Sequence, residues 1–422
     1  MNPNTSPLKL SIVVVGCGLG GLAAALCLGR AGHRVTVFEA ASEATEIGVG
    51  IQVPPNVSRL LREWGLQEEL EKTAVKPRAA SWRRYDTGTM VGELDARKLE
   101  EKYGVPHYNV HRGELHRIMY NAAKVVANII TNSRVTAVNV GEPEMRQGSR
   151  RIQPTVILSD GRQVCADVVV GADGVKSVTR GTVCGDSSSG SKTNSAHRVI
   201  VPTSEMIKDS ALKELVENTH VTCWMGPGRN IVGYCVSGGT GYNLVLSCPS
   251  TDDMEPESWS IPSSPDMIRN DYLGWEPRIQ KLIDLIPSSS KWKLVDRPIL
   301  STWVHHGGVV LIGDACHPLL PYGAAMAMED AAVLAALLTN PKTYTDIPHL
   351  LDAYADIRKP RCTYIQDVSR KNGAMFHLDD GPGQVARDLA LSKLAEGGDN
   401  NERQFGYNVH EEVQQWIEKN PL

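Results

Sequence analysis

Leu10-Ser-Ile-Val-Val-Val-Gly16-Cys-Gly18-Leu-Gly20-Gly21 is the stretch whose reading decides the fold. The apolar run Leu10–Val15 ends at glycine and reads as a buried strand. Leu19–Ala31 follows as a helix rich in small residues, with Gly32 placed to cap its C-terminus. Arg34–Phe38 reads as a second strand and ends at Glu39. Each glycine of the G-x-G-x-x-G pattern has a physical task. Gly16 permits a tight turn, Gly18 lets a pyrophosphate approach the backbone, and Gly21 lets the helix pack on the strand. The helix N-terminus then offers free N–H groups and a positive dipole end to phosphates. A carboxylate at Glu39 accepts from ribose hydroxyls and repels a 2′-phosphate. The motif alone does not separate FAD from NAD, because both carry an adenosine with a free 2′-hydroxyl.

Outward from this unit, apolar residues predict a helix over Val57–Leu70. Residues 155–158 and 162–165 read as strands around the Ser159-Asp160-Gly161 turn. Asp167–Val170 and Val309–Ile312 read as further buried strands. The Ser/Gly-rich residues 184–195 read as a connector between domains. Short strands alternate with Gly and Pro from His197 to Cys248, predicting an antiparallel sheet, and residues 249–265 read as loop. Helices are expected over Ala324–Leu338 and Leu350–Arg370. The fold expected is α/β: a Rossmann-like nucleotide-binding domain (1–183 and 300–372), an inserted antiparallel β-sheet substrate domain (184–299) and a helical C-terminal tail (373–422). The insert should roof a cleft, where ligands tend to bind.

Composition narrows the class without naming a reaction. The 422 residues carry 44 Lys and Arg against 48 Asp and Glu, a net charge of −4, which gives no global pull toward nucleic acid or an anionic membrane. No apolar stretch approaches ~18 residues, so no membrane span is expected. The 9 cysteines are odd in number and lack C-x-x-C spacing, against a zinc ribbon or a secreted disulfide framework. A reducing, cytoplasmic location is the expectation. His305, His306 and His317 have no carboxylate or Cys spacing to complete a metal site, so no metal is expected. Hydrolase chemistry lacks a G-x-S-x-G elbow.

Two more strand ends present an acid on a glycine turn. Asp167-Val-Val-Val-Gly-Ala-Asp173-Gly174 delivers Asp173 ahead of a helix; the plainer reading is a solvated Asp on a structural turn. Val309-Val-Leu-Ile-Gly313-Asp314-Ala-Cys-His317-Pro318 delivers Asp314, which suits a polyol hydroxyl. Pro321-Tyr322-Gly323 then leads into a helix whose N-terminus can stabilise negative charge on a redox ring.

Three such elements in this order resemble the single-component FAD monooxygenases of the para-hydroxybenzoate hydroxylase fold, and within them the salicylate-hydroxylase-like branch common in fungal metabolism. Supporting segments are Gly48-Val-Gly-Ile51-Gln-Val-Pro-Pro-Asn56, His111-Arg112-Gly-Glu-Leu115, Asp173-Gly174, Trp224-Met-Gly-Pro-Gly228 and Gly313-Asp-Ala-Cys-His-Pro318. The resemblance implies FAD on Gly16, Gly18 and Gly21, with Glu39 on the adenosine ribose. It implies Val49 and Gly50 beside the isoalloxazine, Arg112 on the pyrophosphate or ribityl side, Gly313 and Asp314 at the ribityl chain, and Pro321 and Gly323 near the ring. Asp173 lies in a segment this family links to FAD and NAD(P)H use. NADH or NADPH is implied as a transient reductant, since a second dinucleotide motif is missing. One departure stands out. Relatives resemble P-Y-R-A-Q-G-A-A-M-A here, whereas Pro321-Tyr322-Gly323 has only Tyr322 between proline and glycine.

The implied reaction hydroxylates an aromatic ring, phenolic, salicylate-like or polyketide, with O2 through a flavin C4a-hydroperoxide. A cation or base that favours a phenolate helps such a reaction. Arg198, Tyr234 and Tyr242 lie in the insert. Some relatives hold a phenolate with an Arg and a Tyr from this insert, which places Arg198 and Tyr234 first. Their plainer readings are a surface arginine and core tyrosines. An FAD epoxidase or indole/amine oxidase on the same fold, an NAD-linked dehydrogenase and a decayed FAD-binding paralogue remain as alternatives.

Overall fold

A computed structural model describes residues 8–43, 48–142, 144–146, 149–185, 191–249, 260–286, 288–318, 321–393 and 402–420. Its nucleotide-binding half is a six-stranded sheet. In spatial order the strands are Val304–His305, Val309–Leu311, Val168–Gly171, Ser11–Val15, Arg34–Phe38 and Asn128–Ile130. All neighbours are parallel except the first pair. Sheets of this kind are covered on both faces, so their strands are unbroken apolar runs rather than alternating ones. Val14, Val169 and Val310 are accordingly fully buried.

Helix Leu19–Arg30 packs on this sheet and against helix Gly323–Leu338. Small residues allow that close approach: a Cβ on Gly20 would lie 3.0 Å from Ala327 Cβ. The expected helix over 57–70 is two helices, Pro55–Glu63 and Gln67–Glu71. Gly65, at φ +68°, turns the chain between them.

The second half is an eight-stranded sheet, ordered Ser260–Ser263, Ser289–Asp296, Ser191–Pro202, Gly241–Pro249, Arg229–Val236, Val221–Gly226, Ala79–Arg84 and Met90–Asp95. It is antiparallel apart from one parallel pair, Val221–Gly226 with Ala79–Arg84. Two of its strands thus come from residues 79–95, ahead of the segment 184–299. Residues 191–195, read above as connector, are strand. Pairing with 241–249 on one side and 289–296 on the other overrides their weak local preference; residues 186–190 lie outside the described residues.

Period-2 alternation gives this sheet two different faces. Val199, Val201, Trp224, Ile231, Cys235, Tyr242, Leu244 and Leu246 form a core with Leu212 and Leu215 of helix Ser210–Glu217 and Ile279, Leu282 and Ile283 of helix Pro277–Asp284. The alternate positions, among them Arg198, Ile200, Tyr234, Asn243 and Val245, take the opposite face, toward the nucleotide-binding half. The tail begins inside a 30-residue helix, Ile347–Phe376, which runs through position 372. Helix Pro382–Ser392 then lies on strand Met90–Asp95, close enough that a Cβ on Gly92 would lie 2.7 Å from the Leu391 carbonyl oxygen.

Candidate active site

At the end of strand Ser11–Val15, Gly16 turns the chain with φ +101°, and a Cβ there would lie 2.5 Å from the Ala172 carbonyl oxygen. Gly18 caps helix Leu19–Arg30 with no side-chain bond, and the first turn has no acid. A Cβ on Gly21 would lie 2.0 Å from the Gly16 carbonyl oxygen, so only hydrogen fits where the helix meets the turn. Glu39 reaches this turn: its Oε2 accepts from Cys17 N–H and its Oε1 from Ala41 N–H, each at 2.8 Å. A carboxylate has about four acceptor positions, so Glu39 still has capacity for ribose hydroxyls.

The two acid-bearing turns differ. Asp173 is spent inside the chain. Its Oδ1 accepts from Ser177 Oγ at 2.5 Å, and its Oδ2 accepts from Val178 N–H, Thr179 N–H and Thr179 Oγ1 at 2.9–3.0 Å. It fastens the turn to helix Thr179–Cys184, a structural use of the carboxylate rather than a solvated one. Asp314 is exposed, and its Oδ1 lies 3.1 Å from a Cβ built on Gly323. Pro321 and Tyr322 form a turn, and helix Gly323–Leu338 begins with no side-chain cap and no acid in its first turn. The short loop therefore brings an open helix N-terminus alongside Asp314. Gly313, at φ +58°, donates its N–H to Asp330 Oδ2 at 2.9 Å.

Between these turns the two sheets meet. The Val49 carbonyl accepts from Arg112 N–H at 2.8 Å, and Gly50 opens strand Gly50–Val53, paired with Tyr108–His111. A Cβ on Gly50 would lie 2.5 Å from Asn243 Cγ and 2.7 Å from Tyr234 Cε2. Arg198 feels the charges of Arg112 and Asp314 and the nearby Tyr234. Burial, then Arg112, pull its pKa below the ordinary arginine value, and its Nε has no hydrogen-bond partner among the described residues. Burial raises the Tyr234 hydroxyl pKa against the opposing pull of Arg198. Strand register thus joins Arg198, Tyr234, Gly50, Arg112 and Asp314 in one place. Tyr242 pairs with Cys235 and lies on the helix-covered face.

Sequence reading missed the support behind this site. Glu329 and Asp330 stand fully buried on helix Gly323–Leu338. Arg358 binds both, at 2.7 Å to Glu329 Oε2 and 2.8 Å to Asp330 Oδ1, and Arg361 binds Glu329 Oε1 at 3.0 Å. Two adjacent acids in an otherwise apolar helix were the available signal. His317 also donates into this network, at 2.7 Å to Asp330 Oδ2. It forms a three-residue group with Asp330 and Cys362 that spacing did not reveal. The Asp330 oxygens are engaged by Arg358 and by Gly313 N–H.

FAD fits the residues present. A tight glycine turn leads into an uncapped helix N-terminus, a carboxylate stands at that turn, and a second uncapped helix starts beside Asp314. Residues 9–369 match the family described as FAD binding domain. FAD-dependent monooxygenase OpS4 of Beauveria bassiana (strain ARSEF 2860) is 34% identical over 394 residues, covering 91% of this chain and 89% of that protein. 3-Hydroxybenzoate 6-hydroxylase of Polaromonas naphthalenivorans (strain CJ2) is 31% identical over 413 residues, covering 96% and 98%. The crystal structure of FqzB superposes with a TM-score of 0.81 at 26% identity, covering 98% of this chain and 94% of that one. The chain belongs to the FAD-binding-domain family, among the flavoprotein hydroxylases of the para-hydroxybenzoate hydroxylase fold. It is a flavoprotein monooxygenase. Among the described residues no helix is long and apolar enough to cross a membrane.

Proposed function

We propose that this chain hydroxylates an aromatic ring bearing a phenolic oxygen, with NADH or NADPH as the electron source. The balance is NAD(P)H + H⁺ + O2 + Ar–H → NAD(P)⁺ + H2O + Ar–OH. Bound FAD supplies the electron transfer from NAD(P)H and the activation of O2. Gly16, Gly18, Gly21 and the first turn of the helix after them hold its pyrophosphate, and Glu39 its adenosine ribose. Arg112 and Asp314 serve the pyrophosphate-to-ribityl stretch, while Val49, Gly50, Pro321 and Gly323 border the ring. Asp173 keeps its turn in place.

The observation that carries the reading is Arg198, a half-buried cation whose Nε is itself buried and has no partner among the described residues, on the cleft face beside Tyr234. A buried N–H without a partner is costly, and an anionic ring oxygen would complete it. Arg198 then lowers the energy of the phenolate, which makes the ring carbon more nucleophilic. Tyr234, kept protonated by burial, donates to the same oxygen. The two sheets exclude water around them.

A panel of phenols, indoles and alkenes tests this, with NAD(P)H oxidation followed by absorbance and products by mass spectrometry. Phenols should stimulate oxidation and gain one oxygen atom. Stimulation by indoles or alkenes alone would move the chain to the epoxidase or indole oxidase reading.

A further inference from the structure

Asn243 joins the two walls of the cleft. It is 0% exposed, between Ile200 and Tyr234 on the cleft face of the sheet. Its Oδ1 accepts from Gly50 N–H at 2.6 Å, across 193 residues of sequence. That bond fixes the amide's orientation and leaves Nδ2 buried with no partner among the described residues. No side chain longer than hydrogen fits at Gly50 against Asn243 and Tyr234. The corner held in this way includes Val49, whose carbonyl accepts from Arg112 N–H.

The energetics make an amide a poor choice for stability alone. A buried donor without a partner is destabilising, because it has given up water and gained nothing in exchange. Leucine has a similar volume, no such donor, and apolar company in Ile200 and Val245. Losing the Oδ1 acceptor frees Gly50 N–H at a half-buried position that water can serve. The amide therefore contributes placement of the flavin-side strand more than it contributes folding energy.

We propose that Asn243 is a positioning residue for the monooxygenase reaction: through Gly50 it sets the separation between the flavin-side strand and the substrate face of the sheet. This rests on the reading that Val49 and Gly50 border the flavin ring. Without the bond, the FAD pyrophosphate site is unchanged, because it is built from other elements. The ring end of the cleft loosens and admits water, and more NAD(P)H oxidation ends as NAD(P)H + H⁺ + O2 → NAD(P)⁺ + H2O2.

The test compares full-length, FAD-loaded wild-type protein with Asn243→Leu and Asn243→Asp. Iodide quenching of flavin fluorescence reads solvent access to the ring and needs no substrate. Asn243→Leu should raise the quenching constant about threefold or more, with Tm within about 3 °C of wild type. Asn243→Asp, which keeps an acceptor for Gly50 N–H, should return quenching toward the wild-type value. Unchanged quenching in Asn243→Leu, equal effects in both variants, or a Leu variant that fails to fold would each overturn the proposal, the last by making Asn243 structural. A wild-type protein that binds FAD and oxidises no phenol removes the proposed reaction and leaves this comparison standing.

Discussion

Two polar regions of the molecule, one on helix Gly323–Leu338 and one on the sheet face that carries Arg198 and Asn243, are built on opposite rules. On the helix, Glu329 and Asp330 meet Arg358 and Arg361, and every charged group has a partner within 3.0 Å. On the sheet face toward the nucleotide-binding half, half-buried Arg198 and buried Asn243 hold donors that the described residues do not answer. Carboxylates and guanidiniums paired in this way fix one packing and give a scaffold. A half-answered network is unfavourable until something else enters. The difference distinguishes the two groups more clearly than residue type does.

The contrast is broken most severely by Arg358→Met. It leaves two buried carboxylates short of their cation, and stability should fall by about 3–5 kcal/mol in urea unfolding. Gly50→Val is next. Its side chain meets Asn243 and Tyr234, so overpacking should cost about 1–3 kcal/mol and FAD fluorescence titration should show weakened binding. Arg198→Gln should do the reverse of Arg358→Met: kcat/KM for the best phenol falls about 10–100-fold, as for loss of a charged hydrogen bond, while Tm holds or rises.

Acid should separate the regions as well. Burial alone raises the Asp330 carboxyl, but the charges of His317 and Arg358 outweigh it and hold the pKa at about 2, against 3.8 ordinarily. A depressed carboxylate stabilises above the ordinary value and loses that contribution as pH falls through the folded one. The urea midpoint should therefore decline between about pH 4 and about pH 2, equally in wild type and Arg198→Gln. The smallest effect belongs to Tyr242→Phe. It removes an unpartnered hydroxyl on the helix-covered face, so stability should shift by less than about 1 kcal/mol with turnover unchanged.

Much of the nucleotide half was readable in residues 10–39 because its logic is local. Gly16, Gly18 and Gly21 answer steric demands set by their immediate neighbours. Helix and strand follow from short periodic runs. The open helix start at Gly323 was also readable, since no cap or acid stands there. Asp173 and Asp314 were equally visible as acids on turns, yet sequence did not separate them. One is consumed by Ser177 and Thr179, and the other stands beside Gly323.

By itself, then, the sequence determined the dinucleotide-binding fold and the presence of a second, largely antiparallel sheet, and it nominated candidates for the chemistry. Tertiary structure decided which face of that sheet each of them takes. Arg198, Tyr234 and Tyr242 looked alike in strand-like runs, but strand Arg229–Val236 pairs with Gly241–Pro249 so that Tyr234 stands opposite Asn243, and Tyr242 opposite Cys235. That register depends on the turn at Ser237–Gly239, and a slip of one residue would exchange the faces. Asn243 and the Arg358 network needed tertiary contact for the same reason: their partners lie 193 residues away for Gly50 and 28–29 for Asp330 and Glu329, and no local pattern encodes such a distance.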